Sequence, residues 1–167
     1  MRTINIVICF IFLFLIYSCD RTRVYEEYKE IPQYIWNYNY KPRFEFNIED
    51  TTIPYNVYIN VRNSSNYTYQ NLFLFLNIYY PDGKYSRDTI EVLLADDKGN
   101  WLGDGLGGIW DNRYLIKKGL FFSQKGKYIF EYEQGMRENN LPYIMDVGLR
   151  IEKMVETKSN TKKQDEK

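Results

Sequence analysis

Hydrophobic and polar side chains alternate along much of this chain, in short runs separated by turn residues. Apolar residues occupy every second position in residues 44–48 and again in residues 57–61, and Pro54 lies between the two runs. A period of two is typical of a strand with one buried face, and proline interrupts pairing within a sheet. We therefore predict two half-buried strands with a break at Pro54.

A longer run at residues 72–80 is apolar on both faces, which predicts a strand in the centre of a sheet. Pro81-Asp82-Gly83 follows it and favours a tight turn, because proline fixes φ and glycine tolerates a positive φ. Residues 85–94 then alternate again. Together the three segments predict a β-hairpin.

Further strands are predicted in the second half of the chain, at residues 114–116, 120–122, 128–133 and 143–151. No segment shows a sustained helical period. About eight short strands with frequent turns predict an all-β fold, namely an antiparallel two-sheet sandwich of a jelly-roll-like type.

The amino-terminal residues have the pattern of an export signal. Arg2 precedes an apolar run at residues 4–16, which is shorter than the ~20 residues that a membrane-spanning helix needs. Leu15-Ile16-Tyr17-Ser18-Cys19 resembles a bacterial lipobox, in which the cysteine thiol receives a diacylglyceryl group and becomes the new amino terminus. Two or more acyl chains on Cys19 would attach the protein stably to a membrane. An ordinary signal peptide with a coincidental cysteine is the alternative.

These features divide the chain into four parts. Residues 1–18 are expected to be a lipoprotein signal peptide, and residues 19–40 an acylated cysteine followed by a tether that becomes an edge segment. Residues 41–155 are expected to form the β-sandwich, and residues 156–167 a disordered charged tail.

Composition narrows the chemistry available to the protein. The 22 basic side chains balance the 22 acidic ones, so there is no cationic excess for nucleic-acid binding. The sequence has no histidine, which removes histidine-based triads, dyads and metal sites. Signal cleavage would remove Cys9 and acylation would occupy Cys19, so no disulfide is expected. We predict a protein that is not an enzyme and has no cofactor and no metal.

Three catalytic or ligand-binding interpretations of individual motifs are weak. Gly103, Gly105 and Gly108 have the G-x-G-x-x-G spacing, but no strand–helix unit surrounds them as a dinucleotide site requires. Four oxygen-bearing residues within residues 96–104 suggest calcium, but their spacing is not that of an EF-hand. Glu131 and Glu133 share one strand face rather than flanking a cleft.

The glycine-rich segment between two tryptophans is instead a candidate partner surface, formed by Trp101, Gly103, Gly105, Gly107, Gly108 and Trp110. Glycines permit close backbone approach, and the indoles supply contact area. Packing of both tryptophans into the end of the sandwich is an equally open interpretation. A sugar-stacking platform that also includes Trp36 is a further alternative.

Asp50-Thr51-Thr52 and Asp88-Thr89-Ile90 resemble the short acceptor motif for periplasmic O-glycosylation in Bacteroidetes. Thr51 falls in a predicted loop and is the accessible candidate, whereas Asp88 leads into a strand.

Several short motifs, taken in order, resemble the GldH family of gliding-motility lipoproteins over nearly the whole mature chain. Besides the lipobox, they are Trp36, residues 44–50, Arg62-Asn63, Tyr67-x-Tyr69-x-Asn71-Leu72, Pro81-x-Gly83, Asp88-Thr89, Gly99-x-Trp101-x-Gly103, Gly126-x-Tyr128, Gln134-x-Met136-Arg137 and Val147-Gly148-Leu149.

The resemblance implies a Bacteroidetes envelope lipoprotein associated with the gliding machinery and with the protein secretion route that shares its components. It implies no catalytic residues. We therefore expect an adaptor or scaffold whose partners are the membrane, through the acyl chains, and envelope motility or secretion proteins. A carbohydrate-binding jelly-roll module is the alternative. We expect the domain to face the periplasm, with the outer membrane preferred over the inner.

Overall fold

A computed structural model describes residues 20–154, so the signal peptide, Cys19 and the charged tail lie outside the described residues. The described chain forms eleven strands and one 3-10 turn at Pro32–Tyr34. The strands are β1 Arg23–Glu30, β2 Ile35–Asn37, β3 Arg43–Ile48, β4 Tyr55–Ser64, β5 Asn71–Tyr79, β6 Tyr85–Leu93, β7 Asp104–Leu106, β8 Ile109–Leu120, β9 Gly126–Gln134, β10 Asn140–Pro142 and β11 Ile144–Lys153. Between residues 20 and 154, no helix is long and apolar enough to cross a bilayer.

The strands form two main antiparallel sheets. One sheet has five strands in the order β1-β11-β4-β8-β7, and the other has four in the order β3-β9-β5-β6. A small third sheet pairs β10 with β2. The predicted all-β antiparallel sandwich is confirmed, although the number of strands is eleven and not about eight.

Eight of the eleven strands are six residues or longer, and the other three have only three residues each. Counted among themselves, the eight long strands lie in the order 1-8-3-6 in one sheet and 2-7-4-5 in the other. This is the strand order of a jelly roll, in which consecutive strands, apart from the central pair 4 and 5, alternate between two sheets through Greek-key connections.

The core lies between the two main sheets and is built from alternate side chains of each strand. In β3 and β4, the apolar positions of the predicted alternating runs are buried, and their neighbours are more exposed except for Asn60, which is buried as well. Aromatic rings fill much of the space: Phe46 stacks on Tyr128 at 5.8 Å and meets Phe130 edge-on at 5.1 Å. Core packing thus accounts for part of the high tyrosine and phenylalanine content, since four tyrosines and four phenylalanines are buried in the core.

The predicted hairpin is present as β5 and β6. Gly83 has a φ of +80° in the connecting turn, and its amide donates to the Tyr80 carbonyl oxygen at 3.0 Å. β5 is an inner strand, as predicted, since it pairs with β6 on one side and β9 on the other.

The sandwich starts earlier in the chain than residue 41. Residues 23–30, expected to be part of a tether that becomes an edge segment, form β1 and pair with β11 along most of its length. Of the β1 side chains that point inward, only Tyr25 packs against the core, where its ring lies 5.5 Å from Phe46. An edge strand with one core contact has little apolar alternation, which explains why the sequence pattern missed it.

The prediction of two short strands, at residues 114–116 and 120–122, is wrong in its bounds. One strand, β8, runs unbroken from Ile109 to Leu120. Two register shifts interrupt its pairing with β4, and Gly119 there has a φ of +66°. The Gly119 amide donates to the Asn56 side-chain oxygen at 3.1 Å. A bulge lets the strand continue through a sequence that resembles a turn.

Candidate partner-binding groove

The glycine-rich segment forms a hairpin, not an open loop. β7 pairs with the start of β8, and Gly107 and Gly108 connect them with φ values of +62° and +83°. Two successive positive φ values fit a type I′ turn, which matches the twist of a two-residue hairpin. The glycines are followed by strand β8 and not by a helix, so the dinucleotide interpretation of the glycine spacing is excluded.

Gly103 and Gly105 are required for close packing. A Cβ atom on Gly105 would lie 2.3 Å from Cζ3 of Trp110, so the indole rests directly on the glycine backbone. A Cβ atom on Gly103 would lie 2.5 Å from the Asp111 carbonyl oxygen. Both glycines bring β7 and the segment before it against β8.

The two tryptophans stack on each other beneath this hairpin. Their ring centroids are 6.3 Å apart with an interplanar angle of 28°, and both side chains are partly buried. Trp36 is completely buried in β2, where its Nε1 donates to the Tyr40 carbonyl oxygen at 2.9 Å. The three indoles therefore do not form one exposed platform for sugars.

Leu106 is the most prominent apolar side chain of the hairpin. It is 88% exposed and sits directly before the turn. The opposite residue, Ile109, is also exposed. A tight turn thus holds an apolar surface in a fixed position, which is the property expected of an interface anchor.

A groove of about 740 Å³ lies beside Leu106, on the outer face of the five-stranded sheet. One row of paired residues crosses the sheet here: Glu30, Asp146, Arg62, Asp111 and Asp104. The groove lining therefore contains four carboxylates and a single guanidinium. Arg62 donates to Asp111 at 2.6 Å and to Asp146 at 2.9 Å.

Asp146 is the most buried of these carboxylates, with 9% of its surface exposed. Its Oδ1 atom is buried and has no hydrogen-bond partner within residues 20–154. Burial raises the pKa of the Asp146 carboxyl, although the charge of Arg62 opposes this effect. A buried carboxylate with an unused oxygen is energetically costly and is expected where a ligand completes the site.

Two tyrosines near the groove have unusual backbone conformations: Tyr34 lines the groove, and Tyr143 lines an adjoining pocket together with Tyr34. Tyr34 and Tyr143 have φ values of +58° and +69°, and the Tyr143 amide donates to the Tyr34 carbonyl oxygen at 2.8 Å. Their side chains are 45% and 41% exposed. Non-glycine residues in this region cost of order 1–3 kcal/mol each and often occur at binding sites.

The amino-terminal end of the described chain is fixed to the opposite end of the sheet. Arg150 of β11 is buried and contacts the carboxylates of Asp20, Glu26 and Glu152. Hydrogen bonds from Thr22 and Arg150 hold the pKa of the Asp20 carboxyl well below its usual range. The chain is therefore held against the sandwich from residue 20 onwards.

The structure separates the proposed calcium ligands. The Asp96 carboxylate accepts hydrogen bonds within its own turn, from the amides of Lys98 at 2.9 Å and Asn100 at 2.8 Å. Asp104 instead lies in β7, opposite Asp111. No group of three or more metal-ligating residues is assembled in the part of the chain from 20 to 154.

Glu131 and Glu133 share the outer face of the four-stranded sheet. Hydrogen bonds from Lys41 and, more weakly, Arg87 lower the pKa of the Glu133 carboxyl. A carboxyl held ionised in this way is unsuited to general-acid catalysis, and both glutamates lie on a sheet face and not across a cleft.

Thr51 lies in the loop between β3 and β4, as predicted, and is partly exposed. The neighbouring Asp50 carboxylate accepts a hydrogen bond from the Thr52 amide at 2.8 Å. Glycosylation of Thr51 stays a prediction.

The fold and the groove together define a β-sandwich protein with an acidic groove on the outer face of one sheet. Comparison with known sequences identifies its family, because the family model for the GldH lipoprotein matches residues 23–151, from the first strand of the sandwich to the last. The chain belongs to the GldH lipoprotein family.

Two relatives align over nearly their whole length. A "Gliding motility lipoprotein GldH homolog" from Christiangramia forsetii is 38% identical over 92% of this chain and 98% of its own length. "Gliding motility lipoprotein GldH" from Flavobacterium johnsoniae is 35% identical over 91% of this chain and 98% of its own. Among solved structures, the infectious bursal disease virus VP2 subviral particle is 18% identical, with a TM-score of 0.33, over 81% of this chain and 33% of that one.

Proposed function

We propose that this protein is a lipid-anchored, non-catalytic adaptor of the cell envelope, associated with the gliding-motility machinery and the linked secretion route. The names of the two relatives support the motility association and the lipid anchor. The observation that carries the adaptor role is the exposed Leu106 on a rigid hairpin beside a preformed groove. Such a surface binds a partner without chemistry of its own.

The lipid would be attached through Cys19, one residue before the described chain. Consecutive Cα atoms are about 3.8 Å apart, and Asp20 is already held by Arg150. An acyl group on Cys19 would therefore bring the adjoining end of the sandwich to the membrane surface, with no long tether. We place the domain on the periplasmic side, with the outer membrane preferred over the inner.

The groove would then project away from the membrane. β1 starts at Arg23, near the anchor, and ends at Glu30, which lines the groove. Its eight residues span about 25 Å. A partner bound at Leu106 would be held at roughly this distance from the bilayer, which suits an adaptor that links a membrane to a periplasmic complex.

Affinity purification of the detergent-solubilised protein from its own cells tests the adaptor role. We expect envelope proteins to copurify with the natural chain and to be lost with Leu106→Asp, while the variant stays folded and membrane-bound. Leu102→Asp is the matched control, because Leu102 is also exposed, at 57%, but does not line the groove.

Two further outcomes bear on the proposal. Cys19→Ala should release the protein from the membrane fraction, and continued membrane association of that variant would contradict the anchor. Loss of the same proteins with both leucine variants, or no enrichment with the natural chain, would contradict the adaptor role at this surface.

A further inference from the structure

We propose that the groove binds an arginine side chain of the partner protein, with Asp146 as its main acceptor. This inference rests on the adaptor function proposed above and adds the chemistry of the partner. It is carried by the charge of the groove, by the unused oxygen of Asp146 and by the apolar rim.

The charge balance of the groove favours a cationic group. Four carboxylates and one guanidinium line it, and Arg62 is already shared between Asp111 and Asp146. The nearest further cation along β8 is Arg113, one row away, which pairs with Glu26 instead. The excess of acidic groups is therefore left for a ligand to neutralise.

The unpartnered oxygen locates the acceptor. Asp146 lines the groove, and its Oδ1 atom is buried without a hydrogen-bond partner among residues 20–154, while Oδ2 accepts from Arg62. The terminal torsion of aspartate is broad, so the carboxylate can rotate to present an oxygen to a ligand. A guanidinium supplies several planar donors and binds carboxylates more strongly than neutral donors do.

The rim favours a protein as the source of this side chain. Tyr34, Leu106 and Ile109 surround the acidic floor with exposed apolar surface. An arginine flanked by apolar residues in the partner would contact the acidic residues of the groove and the apolar residues around them at the same time. Arginine is also among the residues that are enriched in the centres of protein interfaces.

Methyl NMR on the full acylated chain in detergent micelles tests the inference directly. Met145 lines the groove, whereas Met136 and Met154 do not, so [methyl-¹³C]methionine provides one reporter and two internal controls. The probes are N-acetyl-L-arginine amide and N-acetyl-L-citrulline amide, which have similar shapes but differ in charge. Substitution of Met145 by leucine assigns its resonance.

We expect arginine amide to shift the Met145 resonance saturably. Citrulline amide should bind more weakly by a factor of at least about ten. Asp146→Asn should reduce arginine binding by about tenfold, while Glu45→Gln, on the other sheet, should leave it unchanged. The Asp146→Asn chain is expected to stay folded, because it removes a buried charge while retaining an oxygen that accepts from Arg62.

Equal binding of the two amides, an unchanged Met145 resonance or an unaffected Asp146→Asn chain would each overturn the inference. A shift of Met145 by a neutral monosaccharide but not by arginine amide would also overturn it, in favour of a sugar ligand. Arginine binding without copurifying envelope proteins would leave this inference standing and remove the adaptor function. Copurification without arginine binding would overturn this inference and leave the adaptor function standing.

Discussion

At the residue scale, the absence of a side chain at Gly105 determines how the hairpin is built. The Trp110 indole occupies the space that a Cβ atom would need, and Trp101 stacks on the same indole. Gly107, two residues later, has open space around it and is required only for its φ of +62°. The two glycines therefore differ in their tolerance of substitution.

Gly105→Ala is predicted to lower the free energy of unfolding by about 1–3 kcal/mol, because the new methyl group must displace Trp110. Gly107→Asn is the control and should cost less than about 1 kcal/mol, since asparagine adopts a positive φ more readily than other residues. Chemical denaturation, followed by near-ultraviolet circular dichroism of the two indoles, measures both. Equal losses for the two variants would contradict the packing role of Gly105.

The candidate partner surface was only partly predictable from the sequence. The glycine spacing and the flanking tryptophans indicated a special segment, but Leu106 and Asp146 carried no signal. Leu106 stands out only because a two-residue turn leaves it 88% exposed. Asp146 is far from β7 in the sequence, and strand register alone brings both to one groove.

At the element scale, most strands could be predicted from the alternation of apolar and polar residues, because their inner faces are almost entirely apolar. β3 and β4 show this most plainly. β1, β2, β7 and β10 were missed for a different reason. They are short or at an edge, and their positions depend on pairing with distant strands more than on a local pattern.

β1 is held to β11 by a polar cluster as well as by backbone pairing. The Arg150 side chain is 7% exposed and contacts three carboxylates. Glu26 lies on β1, Asp20 lies three residues before β1, and Glu152 lies on β11. Among residues 20–154, Arg23 makes a single ion pair, with Glu26, and its side chain is half exposed. The cluster at Arg150 therefore contributes more to the fixed position of the amino-terminal strand.

Arg150→Ala is predicted to lower the free energy of unfolding by about 3 kcal/mol, because it leaves several partly buried carboxylates without their cation. Arg23→Ala should change it by less than about 0.5 kcal/mol, as exposed ion pairs contribute little. Urea denaturation of both variants provides the comparison. Similar small effects in the two would show that backbone pairing alone fixes β1.

At the scale of the whole molecule, the two ends of the sandwich carry different groups. The amino-terminal end carries Asp20 and the Arg150 cluster, next to the predicted lipid, and the opposite end carries Leu106 and the acidic groove. β8 connects these ends, since it begins beside Leu106 and ends before Phe121. We propose that protein partners bind only at the groove end.

Site-specific photocrosslinking in the protein's own cells tests this claim most directly. A photoreactive amino acid replaces Leu106 in one variant and Phe121 in the other; Phe121 is 58% exposed and lies about 35 Å away at the far end of β8. We predict crosslinks from position 106 to an arginine-containing segment of an envelope protein, strongly reduced by Asp146→Asn, and none from position 121. Crosslinks of equal yield from both positions, or none from position 106, would contradict the account.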